Sequence, residues 1–117
     1  MTRVLIVRKL KNREDIPKLI RQIKVVAMTQ PGYISSEASV NADDPCAVSV
    51  ISTWKNAASW KKWEKSKQRL ALCREITPLL AEPEIITVYK ILSNEELEYL
   101  ADPEGWLRLK ERHSLGG

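Results

Sequence analysis

From Arg3 to Leu10 apolar side chains occupy both alternating positions of an extended chain, Val4 and Ile6 on one side, Leu5 and Val7 on the other. That pattern predicts a first strand over 3–10. The period then changes. Ile16, Leu19, Ile20, Ile23, Val26 and Ala27 recur at three- and four-residue spacing, the stripe of an amphipathic helix. Asp15 is placed to cap it, and Pro17 falls near the first turn, where proline is tolerated. The helix stops before Pro31-Gly32. A second strand is predicted from about Tyr33 to Val40, a hairpin-type loop over 41–45, and a third strand from about Cys46 to Trp54.

The next segment, Trp54 to Ser66, holds three of the four tryptophans. Asn56 can cap a helix on which Trp60 and Trp63 share a face. The apolar face changes phase near Ser66–Gln68, which predicts a break or bend, and Pro78 and Pro83 end the continuation. A fourth strand follows over 84–92. The order β-α-β-β-α-β defines an α+β, ferredoxin-like fold with a four-stranded antiparallel sheet. Beyond it, Ser93 and Glu96 fit a capping box, and Asp102-Pro103 opens a second short helix with Trp106, Leu107 and Leu109. The chain thus divides into a domain over 1–92 and a helical C-terminal extension over 93–117.

A sheet with both helices on one face leaves its other face open, and polar residues would alternate there if water covered it. They do not: Val48 and Val50 oppose Ala47 and Ile51, and Ile86 and Val88 oppose Ile85, Tyr89 and Ile91. Both faces need cover. A second copy of the same sheet supplies it, and two-fold pairing is the commonest oligomer, so the pattern predicts a homodimer closing as an α+β barrel. The C-terminal tail is the other element that could cover the face.

The composition, 44% apolar and 29% charged over 117 residues, is that of one soluble globular domain. No apolar run is long enough to span a membrane. The opening strand is too short for a signal peptide, so a cytoplasmic protein is expected. Cys46 and Cys73 have no metal-like spacing and read as free thiols. The single histidine, His113, excludes a multi-histidine metal site within one chain, and no metal site is expected. The net charge of +4 is segregated. Lys55, Lys61, Lys62, Lys65, Lys67, Arg69 and Arg74 crowd one segment, and an acidic segment follows it. Such asymmetry steers an anionic ligand or a self-complementary partner, or simply forms a solvated helix face. Nucleic-acid binding through Lys61, Lys62, Lys65 and Arg69 is disfavoured, because the acidic tail competes with phosphate.

The order of elements, the Pro31-Gly32-Tyr33 entry to the second strand, and the run Trp54, Trp60, Trp63, Ser66 together resemble the antibiotic biosynthesis monooxygenase domain family, over about Thr2 to Leu92. The resemblance implies a dimeric α+β barrel. The family it resembles includes cofactor-free oxygenases of polyphenolic substrates, haem-degrading enzymes, and many members with no assigned activity. The haem-degrading branch carries an asparagine where this chain has Arg8 and an iron-ligating histidine where it has Cys73. Trp63 alone matches, so no cofactor is expected.

Within that frame Arg8 and Trp63 are the candidate catalytic residues. Arg8 shares the face of Val4 and Ile6, and a charge on an apolar strand face needs a reason. It either binds a substrate oxyanion bidentately or points past the barrel rim, where Glu37 of a second copy could pair with it. Trp63 offers an indole face and an N–H, or is simply core. Cys73, Tyr33 and Ser52 complete the expected substrate-binding set, with Ser36 a further donor; Cys73 by default is a small buried hydrophobe. Two functions follow: an oxygenase of a small aromatic or polyphenolic substrate in a pocket between sheet and helices, or a non-catalytic dimeric small-ligand-binding or stress-related module.

Overall fold

The sheet is built around β1 (Thr2–Lys9), which lies between β3 (Asp44–Trp54) and β4 (Ile85–Lys90); β2 (Tyr33–Asn41) pairs with the far side of β3. Every pairing is antiparallel. Two helical segments cross over, α1 (Ile16–Ala27) and the pair α2 (Ala57–Glu64) and α3 (Lys67–Ile76), and the chain continues into α4 (Asn94–Glu98) and α5 (Pro103–Ser114). This is a computed structural model; it describes residues 1–114, with side chains for residues 1–111. The fold is the α+β, ferredoxin-like arrangement that the hydrophobic pattern predicts. No helix among the described residues is long and apolar enough to cross a membrane.

Local chemistry sets most boundaries. Asn56 is extended, and its Oδ1 accepts the Ser59 backbone N–H at 2.8 Å, starting α2. Ser66 Oγ accepts the Arg69 N–H at 3.1 Å, so the expected break is a new N-cap that separates α2 from α3. The capping box at Ser93 and Glu96 forms in both directions. Asp15 does not cap α1 with its side chain, contrary to expectation. The chain enters α1 through a 3-10 turn over Arg13–Asp15, which leaves Asp15 already helical. β3 begins two residues early, at Asp44, and Pro45 sits at the irregular end of the β2–β3 ladder, where a missing N–H is tolerated.

The helix-covered face of β1 carries Thr2, Val4, Ile6 and Arg8, all buried. Val4, Ile6, Ala27, Trp54, Trp60 and Trp63 form one core cluster; Leu10, Leu19, Val48 and Ile76 form another. The opposite face bears Leu5, Val7, Ile51, Ile85 and Tyr89, and the tail leaves it open: Ile85 is 61% exposed and Tyr89 49%. Instead the tail runs on past edge strand β4. There Lys90 pairs with Glu96 at 3.5 Å, and Trp106 and Leu109 border the end of the strand.

Candidate functional site

Strand alternation puts Arg8 on the helix-covered face, beside Ile6, where it is 3% exposed. Within the chain its partner is Glu84, just ahead of β4. Arg8 donates Nε–H to Glu84 Oε2 at 2.9 Å, and Arg69 donates from Nη2 to Glu84 Oε1 at 3.0 Å. Arg69, also buried, lies with its guanidinium carbon 5.6 Å from the centre of the Trp60 ring, a cation–π contact. One carboxylate therefore bridges two buried guanidiniums and leaves an excess positive charge. Burial lowers the Arg8 pKa below its ordinary value; Glu84 opposes that shift and Arg69 adds to it. Arginine stays charged under such shifts. The two terminal nitrogens of Arg8 make no hydrogen bond among the described residues, and the side chain borders a cavity.

That cavity, of about 80 Å³, lies between the covered face of the sheet, α1 and α2. Arg8, Trp63, Tyr33, Ser36 and Ser52 all line it, with Trp54 and Trp60. Trp54 gives its indole N–H to Ser52 Oγ at 2.9 Å, and the Tyr33 hydroxyl meets Ser36 Oγ at 2.7 Å. Tyr33 packs edge-on to Trp54 with ring centres 5.6 Å apart, and Trp60 likewise at 5.9 Å. These contacts fix Trp54, Tyr33 and Trp60 as a rigid wall. Neither Trp60 nor Trp63 donates its N–H to a protein acceptor among the described residues.

Cys73 does not join this group. It borders a separate, more open groove of about 410 Å³, together with Ile76, Thr77 and Glu84. The cause is the Ser66 cap: the helix restarts there, so a residue ten positions past Trp63 no longer follows its face. A haem fits these residues poorly, because the position of the expected iron ligand is a cysteine outside the cavity. Among the described residues no cluster of His, Cys, Asp and Glu gathers to hold a metal ion; the His113 side chain lies outside them. The basic segment changes meaning too. Lys61, Lys62, Lys65 and Lys67 are exposed, but Arg69, Trp60 and Trp63 are buried, so that surface offers no aromatic platform for bases.

Sequence reasoning missed Glu84, the inward turn of Arg69, and Lys24, which lines the cavity from α1. Arg69 read as one of a run of surface cations, and only Glu84, fifteen residues on, shows that it turns inward.

Comparison with known proteins agrees with this fold. The antibiotic biosynthesis monooxygenase (ABM) family model matches residues 9–75, more than half of the chain, and the protein belongs to that family. SnoaB, a cofactor-independent oxygenase from Streptomyces nogalater solved as a point variant, superposes with a TM-score of 0.71 at 8% identity, over 80% of this chain and 94% of its own. A Nitrosomonas europaea protein that its name assigns provisionally to the antibiotic biosynthesis monooxygenases gives 0.70 at 18%, over 80% of this chain and all of its own. Rv0793 from Mycobacterium tuberculosis gives 0.67 at 16%, over 80% and 98%. At such identities the likeness establishes the fold. A search of curated proteins gave no match.

Proposed function

We propose that this protein is a cofactor-independent monooxygenase acting on a small hydroxyaromatic substrate in the cavity under Trp63. The observation that carries the reading is Arg8: a buried guanidinium, pinned through Nε by Glu84, whose side chain borders a largely apolar cavity walled in part by Tyr33, Trp54, Trp60 and Trp63. Membership of the ABM family supports it, as does the likeness in fold to a protein named as a cofactor-independent oxygenase.

The chemistry asks little of the protein. A substrate deprotonated to a phenolate or enolate passes an electron to oxygen, and the resulting radical pair combines at carbon. The O–O bond then breaks. One oxygen stays in the product; the other leaves as water with two substrate hydrogens, so substrate and oxygen balance with no external reductant. Arg8 holds the anionic oxygen where charge is greatest, and Trp63 stacks on the ring and offers its N–H. The enclosed, largely apolar walls keep water out. Among the described residues the lining holds no carboxylate and no histidine, so the proton leaves to water, to Tyr33, or through the substrate's own acidity.

The working assembly in this reading is a homodimer, two sheets meeting across Leu5, Val7, Ile51, Ile85 and Tyr89. Residues 1–92 form the ABM-like domain and 93–117 an extension of it.

The test is oxygen uptake with a panel of quinols. Uptake that falls steeply in Arg8→Met and weakens in Trp63→Phe supports the oxygenase. Saturable binding without turnover favours the second reading, a ligand-binding module. No binding by the folded protein sinks both.

A further inference from the structure

The described lining of the cavity contains two cations, Arg8 and Lys24, and no acidic side chain. They stand at different depths. Arg8 is 3% exposed and anchored to Glu84; Lys24, on α1, is exposed and has no ion-pair partner among the described residues. Opposite-sign neighbours usually neutralise cations on a surface, so a pocket with two of one sign and none of the other is tuned for negative charge. Size narrows the ligand further. The cavity volume of about 80 Å³ is below the roughly 150 Å³ of an engineered cavity that admits benzene. One ring therefore fills the interior and reaches into the mouth.

Resting on the reading of the site given above, we propose that the substrate is a single-ring hydroxyaromatic that also carries a carboxylate, with its phenolate oxygen on Arg8 and its carboxylate at the mouth beside Lys24. The orientation follows from solvation. A permanent carboxylate loses most by leaving water, so it belongs at the wet end. Charge that changes during reaction is best met by fixed donors in the dry interior. Arg8 then serves the chemistry, and Lys24 selects the substrate. An exposed cation on a flexible stem gives modest discrimination, so the preference is a matter of several-fold.

The test is calorimetric titration with a matched pair of ligands, hydroquinone and 2,5-dihydroxybenzoate, which differ only in the carboxylate. Wild-type protein binds the carboxylate about fivefold more tightly at low salt, and the ratio shrinks as salt rises. In Lys24→Met the ratio falls to about one; in Lys24→Arg it persists. Circular dichroism verifies that the variants are folded. Two results would overturn the proposal while leaving the oxygenase reading in place: equal binding of both ligands by wild type, or a preference that survives in Lys24→Met. If neither ligand binds the folded protein, the proposal and that reading fall together.

Discussion

Arg8 on β1 donates its Nε–H to Glu84 at 2.9 Å, across 76 positions of sequence, and Arg69 holds the other oxygen of the same carboxylate at 3.0 Å. The arrangement explains how a charged side chain persists on a core-facing strand position. It also leaves the terminal fork of Arg8 free to face the cavity. Glu84→Gln keeps the shape and removes the bridging charge, so two buried guanidiniums face each other unneutralised. We expect a loss of about 3 kcal/mol, the low end for breaking a buried pair because Glu84 is 21% exposed. The Arg8 pKa falls further, since the group that raises it is gone. Urea unfolding measures the stability change; a loss below about 0.5 kcal/mol, the range of ordinary surface substitutions, refutes the structural role.

Arg8→Lys separates charge from geometry. Lysine keeps the charge but cannot bond Glu84 through one nitrogen and present a two-pronged fork with the others. Oxygen uptake is expected to drop at least tenfold in Arg8→Lys and about 10²- to 10³-fold in Arg8→Met. Equal activity in wild type and Arg8→Met would remove Arg8 from the mechanism.

At Trp63 packing and chemistry are separable in the same way. Trp63→Ala deletes a side chain 4% exposed in the core and should cost about 3–5 kcal/mol. Trp63→Phe retains much of the packing and loses the N–H. A folded Trp63→Phe protein is expected to bind quinols more weakly by about tenfold, the worth of a hydrogen bond. Unchanged affinity in Trp63→Phe, measured by calorimetry, assigns Trp63 to the core alone.

Gly32 joins α1 to β2 with φ of 84°, and a Cβ there would lie 2.2 Å from Ser59 Oγ and 2.5 Å from Ser59 Cβ. Ser59 cannot swing aside freely, because its hydroxyl and its N–H both bond Asn56. Gly32→Ala is therefore expected to destabilise by about 2–4 kcal/mol, from backbone strain plus overpacking. Ser59→Gly recovers the steric part in the double variant. Thermal unfolding of the four proteins closes the cycle, and strictly additive effects would show that no contact exists.

The open sheet face predicts self-association. Ile85 is 61% exposed on it, and Ile85→Glu places a charge where a second sheet would sit. Sedimentation is expected to give a dimer for wild type and a monomer for the variant. A wild-type monomer at micromolar concentration overturns the barrel.

How much of this was legible in the chain differs from part to part. Elements defined by period and caps were readable. The strand alternation, the stripe of α1, the caps at Asn56 and Ser93, and the break near Ser66 each depend on residues within a few positions. Asp15 was misread because the chain solves that helix start with a 3-10 turn, which competes locally with a side-chain cap. Four expected binding residues, Arg8, Trp63, Tyr33 and Ser52, converge on one cavity, since alternation and helical period fix their faces. Cys73 was misplaced because the Ser66 cap resets the phase of the helix that carries it.

The sequence by itself determined the order of elements, the face each strand presents, and the surplus of apolar positions that leaves one side of the sheet in need of cover, because all of these are short-range consequences of period and capping. Only the tertiary structure decided that Glu84 is the partner of both Arg8 and Arg69, that Lys24 stands at the mouth, and that the tail passes the open face by. Charge pairing acts through space between segments that the chain separates widely, and no local pattern records which segments will meet.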